Sequence, residues 1–252
     1  MTILCIGAHP ADSVDLAGGT LYQHRKQGGE VWFVTMTTGE RSHVMNDYEI
    51  KGMNVVSDKK LEFEKSAITL GIDSNNTIFW HNSDEPFIMT PRMVEELVSL
   101  IRRLKPDTVI THHPNEYAHW DHAECGKLVC RSLKSAMKLP GKKYWVPTVY
   151  FFGVQFRPEN ARIGVVPQSP DVLIDISDVI GTKIKALMCF ESQGYNDRDM
   201  LLDRVDSFES EMGRADGLRY SEGFILYHPL KRKLLPVNLA GGFYNNKKEE
   251  GI

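Results

Sequence analysis

The sequence has 252 residues, with 30 Lys and Arg against 33 Asp and Glu and a formal net charge of −3. Hydrophobic residues at 42% and charged residues at 25% describe an ordinary globular chain with enough apolar surface for a real α/β core. They exclude a disordered tail, a collagen and a small disulfide scaffold, and the absence of a domain-wide positive charge excludes a polybasic nucleic-acid binder.

The apolar opening, residues 3–8, predicts a buried strand; it has no basic flank and is too short for the apolar stretch of a signal peptide. A helix pattern follows over about residues 15–27, closed by Gly28-Gly29, and then a strand over 31–37. A polar loop reaches Asp58, a helix pattern covers about 59–70 up to Gly71, and a strand covers 77–80. Thr90-Pro91 opens the next helix, a cap residue followed by proline at the first helical position. A strand over 108–111 stands behind Lys105-Pro106-Asp107, and a helix pattern runs over about 122–137. Strands are expected over 148–152 and 172–176, joined by a proline-bearing segment, residues 157–170. Ser177 and Asp178 open a helix over 179–190, another helix covers about 200–212, and 224–227 reads as a last extended piece.

Strands alternating with helices predict an α/β fold, a mostly parallel sheet with helices on its faces. No repeat or linker divides the chain, so one domain over residues 1–238 with a flexible tail over 239–252 is expected. Cys5, Cys125, Cys130 and Cys189 form no CxxC and read as small core hydrophobes in a reducing compartment. No stretch approaches the roughly 20 apolar residues of a membrane span. The expectation is a cytoplasmic protein with a small-molecule partner and neither nucleic acid nor membrane; a homo-oligomer is compatible with the sequence.

Chemistry in open α/β sheets gathers where strands give way to loops at their carboxyl ends. The first strand runs into His9-Pro10-Ala11-Asp12. The strand over 108–111 runs into an eleven-residue stretch, 112–122, that holds four of the nine histidines: His112, His113, His119 and His122. Two imidazoles and a carboxylate with an open fourth position make the kind of site that holds a catalytic Zn²⁺. Asp12 and Asp121 would equally suit helix caps, but their joint placement at the mouth of one sheet favours the metal.

The run Ala8-His9-Pro10-x-Asp12, then Gly18-Gly19-Thr20-Leu21, Thr38-Gly39-Glu40 and His119-x-Asp121-His122 resembles the PIG-L/LmbE-like zinc-dependent de-N-acetylases. The resemblance implies a Rossmann-like fold with one zinc, or another divalent ion, per chain, held by His9, Asp12 and His122. It implies His119 as general acid or oxyanion donor and places Tyr117 near the oxyanion. Asp121, beside His122, is the natural carboxylate to orient a histidine of the site.

One position departs from the pattern. The family's commonest form has an Asp base after the proline, and here it is Ala11, whose methyl takes no proton. General acid–base help is typically worth about 10²–10⁴-fold, so the loss matters. Either the chain is an inactive or engineered variant, or another carboxylate, Glu40 first, serves as base, or the site runs different chemistry. The family's hydratase branch, acting on unsaturated oxo-acids, resembles this chain in lacking that Asp and in carrying Gly39-Glu40-Arg41. The primary expectation is a zinc hydrolase removing an acyl group from an N-acetylated, sugar-like small molecule. The alternatives are a zinc hydratase with Glu40 handling the proton and a weak or inactive metal-binding pseudoenzyme. Arg41, His43, Asp84 and Gln155 are the candidate substrate contacts.

Overall fold

The computed structural model describes residues 1–41, 55–117, 119–153 and 169–229. His43, Gln155 and the expected tail over 239–252 lie outside the described residues.

The opening strand, β1 (Thr2–Gly7), is buried along nearly its whole length, as a strand covered on both faces must be. It runs parallel to β2 (Glu30–Thr37) on one side and to β4 (Thr108–Thr111) on the other. Beyond them lie β3 (Thr77–Asn82) and β5 (Thr148–Phe152), also parallel, and then β7 (Ser221–Leu226) and β6 (Val172–Asp175), each antiparallel to its neighbour. The order of the seven strands is β3-β2-β1-β4-β5-β7-β6. The chain leaves β1 in one direction to build β2 and β3, and later starts β4 on the other side. The carboxyl ends of β1 and β4 therefore flank the point where the order reverses, the place where such sheets open a crevice.

Helices cover both faces, as the sequence predicts. On one side α1 (Asp12–Lys26), α2 (Val55–Thr69), α5 (Ile180–Leu187) and α6 (Arg198–Arg214) share a core with Val14, Leu21, Phe33, Phe63, Leu187 and Leu201. On the other, α3 (Pro91–Leu104) and α4 (Trp120–Lys138) pack over Leu4, Val34, Leu97, Ile101, Leu128 and Val149. Among the described residues no helix is long and apolar enough to cross a membrane. The four cysteines are free, with Cys5 and Cys125 buried.

Several expectations are corrected. Helix α1 begins at Asp12, three residues before the predicted start, because Ala11 already has helical backbone angles; Asp12 is its first residue and not a cap. Asp15 lies in the first turn, but its carboxylate is paired with Arg204 of α6. Helix α4 begins at Trp120, and its cap is His119, whose ring nitrogen accepts from the Asp121 N–H at 3.2 Å; the Asp121 carboxylate is engaged elsewhere. Helix α2 starts at Val55, inside the stretch read as loop, and the helix predicted over 179–190 stops at Leu187. The last strand extends back to Ser221 because Glu222 on it is buried against α1.

Two glycines bring the site's walls together. Gly126, one turn beyond His122 on α4, lies so close to the loop after β4 that a Cβ there would stand 2.5 Å from the His112 carbonyl oxygen. Gly39, with φ +65°, presses the end of β2 onto the first loop; a Cβ on it would stand 2.8 Å from Pro10 Cδ.

Candidate metal centre

His9 leaves the end of β1 and is 5% exposed. Its backbone N–H donates to Asp12 Oδ2 at 2.7 Å, so the turn itself fixes the carboxylate beside the imidazole. His122, on the first turn of α4, comes in from the β4 side. Its Nε2 lies 3.2 Å from His9 Nδ1 and 3.4 Å from Asp12 Oδ2, and His9 Nδ1 lies 3.5 Å from Asp12 Oδ2. The three donor atoms form a nearly equilateral triangle. Metal–ligand distances of about 2.0–2.1 Å at tetrahedral angles place neighbouring donors about 3.3 Å apart, so the triangle has the size of one face of a tetrahedral zinc site. Two imidazoles and one carboxylate also suit that ion chemically.

Each imidazole is held by a carboxylate on its far nitrogen. Asp121 Oδ2 lies 3.1 Å from His9 Nε2, and the Asp121 carboxylate also accepts the Glu85 and Phe87 N–H groups, each at 2.8 Å. Glu116 Oε1 lies 2.5 Å from His122 Nδ1, while its Oε2 lies 3.0 Å from His112 Nδ1. His112, fully buried, stacks on His122 at 4.0 Å between ring centroids and sets its Nε2 3.0 Å from Asp12 Oδ2. These contacts hold the ring planes so that His9 Nδ1 and His122 Nε2 face the triangle.

The electrostatics match. Burial pushes His9 down, but Asp12 and Asp121 outweigh it and hold the imidazole up at about 9. Burial likewise opposes His122, and Asp12 and Glu116 raise it to about 10. Burial pushes Asp12 up, yet His122 and His9 hold it well below the usual carboxylate range. Glu116 is brought down to about 2 by His112 and His122 against its burial. Asp121 is also lowered, by His9 and the two N–H donors, against a burial effect that raises it. A cluster with this much carboxylate charge is arranged for resident positive charge.

His119 stands at the rim. Its ring meets His9 edge-on with centroids 4.6 Å apart, and its Nε2 lies 2.9 Å from Glu85 Oε1. Since its Nδ1 accepts the Asp121 N–H, Nε2 carries the proton. Two other donor groups come close, His9–His119–His122 and Asp12–His112–His122. In each, one imidazole is committed: both His112 nitrogens face carboxylates, and His119 caps its helix.

The remaining candidates fall around this core. Glu40 follows Gly39, half-buried, on the segment that abuts Pro10. Arg41 donates its backbone N–H to Asp84 Oδ2 at 3.0 Å and its guanidinium to the Glu85 carbonyl at 3.3 Å. Asp84 is fully buried and fastens that loop, so it is not exposed to meet a substrate hydroxyl as expected. Tyr117 is 48% exposed, and among the described residues it takes no part in the hydrogen bonds of the cluster. Sequence reasoning missed Glu116, His112 and Glu85. The spacing of Glu116, four residues after His112 and six before His122 in one loop, is the signal that could have found it.

The protein-family description "PIG-L: GlcNAc-PI de-N-acetylase" matches residues 4–133. The chain is 26% identical over 224 residues to diacetylchitobiose deacetylase of Thermococcus kodakarensis, covering 88% of this chain and 81% of that one. It is 25% identical over 198 residues to 4-oxalmesaconate hydratase of Pseudomonas putida, covering 75% and 73%. Among solved structures, N,N'-diacetylchitobiose deacetylase from Pyrococcus horikoshii superimposes with a TM-score of 0.74 at 25% identity, covering 89% of this chain and 83% of that one.

Proposed function

Because the chain belongs to the PIG-L family, and is by that membership and its deacetylase and hydratase relatives a hydrolase or a related hydro-lyase, we propose that it is a zinc-dependent de-N-acetylase of a sugar-like small molecule. The observation that carries the reading is the donor triangle of His9 Nδ1, Asp12 Oδ2 and His122 Nε2, with sides of 3.2, 3.4 and 3.5 Å. A divalent ion held there supplies Lewis-acid activation of water and of an amide carbonyl.

The chain's own groups do the rest. Asp121 and Glu116 keep His9 and His122 in the tautomers that turn Nδ1 and Nε2 inward. His119, whose Nε2 proton points at Glu85 Oε1, would donate to the developing oxyanion or to the leaving amine by turning that proton from Glu85 to the substrate. Ala11, 5% exposed among apolar residues, handles no proton, and that task falls to Glu40 on the adjoining loop. The test is acetate release from N-acetylglucosamine conjugates by the zinc-loaded protein. Turnover that falls about 10²-fold or more in Glu40→Gln supports the reading, and zinc-replete protein that releases no acetate overturns it.

Ala11 also favours a second reading, a zinc hydratase of an unsaturated oxo-acid in which Glu40 moves the proton. Loss of absorbance from an oxo-dienoate, without acetate release from any amide, would select it.

A further inference from the structure

Lys59 and Glu62 are the two charged side chains on the buried face of α2. That face carries Lys59, Glu62, Phe63, Ser66 and Ala67, at helical spacing. Lys59 has no exposed surface, and among the described residues its Nζ has no hydrogen-bond partner. Its stem runs past Gly39, where a Cβ would stand 3.6 Å from Lys59 Cδ, and Gly39 in turn presses on Pro10 beside His9. The Lys59 stem therefore packs against the segment at the ends of β1 and β2, and its amine is near enough to Asp12 of the metal centre for the two charges to act on each other.

Among the described residues, none of the three carboxylates whose charge reaches it makes a hydrogen bond to its Nζ. Glu62 accepts the Ser192 N–H at 2.7 Å and the Ser192 hydroxyl at 2.6 Å. Asp84 Oδ2 accepts from Arg41, and Asp12 Oδ2 faces His9, His112 and His122. A buried ammonium with three donors and no acceptor is costly, and a carboxylate brought by a ligand would relieve that cost. Burial pushes the Lys59 amine below its ordinary range, while Glu62, Asp84 and Asp12 pull the other way.

We propose that Lys59 is a specificity-determining residue whose ammonium takes a carboxylate of the small molecule held at the metal centre. The inference rests on the reading of His9, Asp12 and His122 as a zinc site. It narrows the substrate to a carboxylate-bearing compound, whether an acylated amino-sugar acid or an oxo-acid. The four-carbon stem lets the amine swing toward such a group, and the ion pair forms in a dry wall where it is strong.

The test uses the full chain with its zinc content measured first. Dicarboxylates from malonate to pimelate are titrated by calorimetry, each against its own monoamide, so that both members keep one carboxylate for the metal. The expected result is at least one spacing that binds about tenfold better than its monoamide. That preference shrinks to within about twofold in Lys59→Met and partly survives in Lys59→Arg. Lys59→Met is also expected to melt no lower than the parent, since it removes a buried cation with no partner. A zinc-replete protein that shows no dicarboxylate preference, or a Lys59→Met variant that keeps it or melts markedly lower, overturns the role of Lys59. Protein that takes up no zinc overturns the metal reading and this inference together.

Discussion

Two buried clusters of charge touch helix α1, and they are built in opposite ways. Near its middle, Glu222 on β7 accepts the Gly19 and Thr20 N–H groups at 2.9 and 2.8 Å, and Lys183 on α5 bridges Glu222 and Glu209 at 2.8 and 2.5 Å. Burial opposes the charge on Lys183, but Glu222 and Glu209 hold its proton more tightly than normal. This cluster supplies its own cation, covalently attached, and is closed in that sense, although Glu209 Oε2 has no hydrogen-bond partner among the described residues. At the start of α1, Asp12, Glu116 and Asp121 surround His9, His112 and His122, and among the described residues three donor atoms converge with no lysine or arginine between them. The positive charge there is a proton that His9 and His122 hold tightly and that a metal ion would replace. A closed cluster ties α1 to the far end of the sheet; an open one takes its positive charge from a ligand. The contrast teaches that buried charge marks a candidate site only where the cluster's own cations do not complete it.

Removing one donor from the open cluster has the largest expected effect. His122→Ala is expected to abolish zinc retention after dialysis and all turnover, while leaving the fold intact by circular dichroism. A variant that still retains one zinc per chain would show that the triangle is not the metal face. The matching cut in the closed cluster acts on stability. Lys183→Met strands two carboxylates in a dry interior and is expected to cost about 3–5 kcal/mol in denaturant unfolding. Adding Glu209→Gln and Glu222→Gln should return part of that loss. If Lys183→Met unfolds at the parent's denaturant midpoint, the cluster is not held closed by its lysine.

Much of this architecture was legible before the structure, and the failures are instructive. Strands β4 and β5 match their predicted bounds, Thr108–Thr111 and Thr148–Phe152, because Pro106 and Pro147 punctuate the chain before each. Helix starts were misplaced where unusual residues cap them: Ala11 offers no side-chain oxygen, and His119 caps through a ring nitrogen. That His9 and Asp12 would meet histidines of the stretch 112–122 could be foreseen because both segments follow the ends of strands that proved to be neighbours, whereas the choice of His122 among the four came from the family resemblance. Glu116 had a weaker signal, its spacing to His112 and His122, since a carboxylate in a polar loop has no periodicity that reveals what it faces. Lys59 did have a signal: it falls on the same helical face as Phe63, Ser66 and Ala67, where a lysine ought not to be.

A milder change sharpens the comparison inside the open cluster. Glu116→Gln keeps the shape but removes the charge behind His122 and His112. Loss of such an outer carboxylate typically costs about 10–100-fold in metal affinity, and that range is expected here by competition with a chromophoric chelator. An unchanged affinity would mean that Glu116 only fills space.

The smallest effect belongs to a charge pair of neither kind. Asp15 and Arg204 join α1 to α6 between the two clusters, with Arg204 Nε donating to Asp15 Oδ1 at 3.1 Å. The side chains are 21% and 29% exposed, so water and salt reach them. The guanidinium also lies 4.8 Å from the Phe208 ring centroid, a contact that does not need Asp15. The guanidinium reaches both Asp15 oxygens, so this partly exposed pair sits at the upper end of the range for pairs that water reaches, and Asp15→Asn is expected to cost about 1 kcal/mol, shrinking in molar salt. Removing an aspartate from the neighbourhood of Glu209 offsets part of that loss, because Asp15 is one of the charges that raise the Glu209 carboxyl. A loss of several kcal/mol, insensitive to salt, would place this pair inside the closed cluster and make one continuous charged core of what the geometry divides into two.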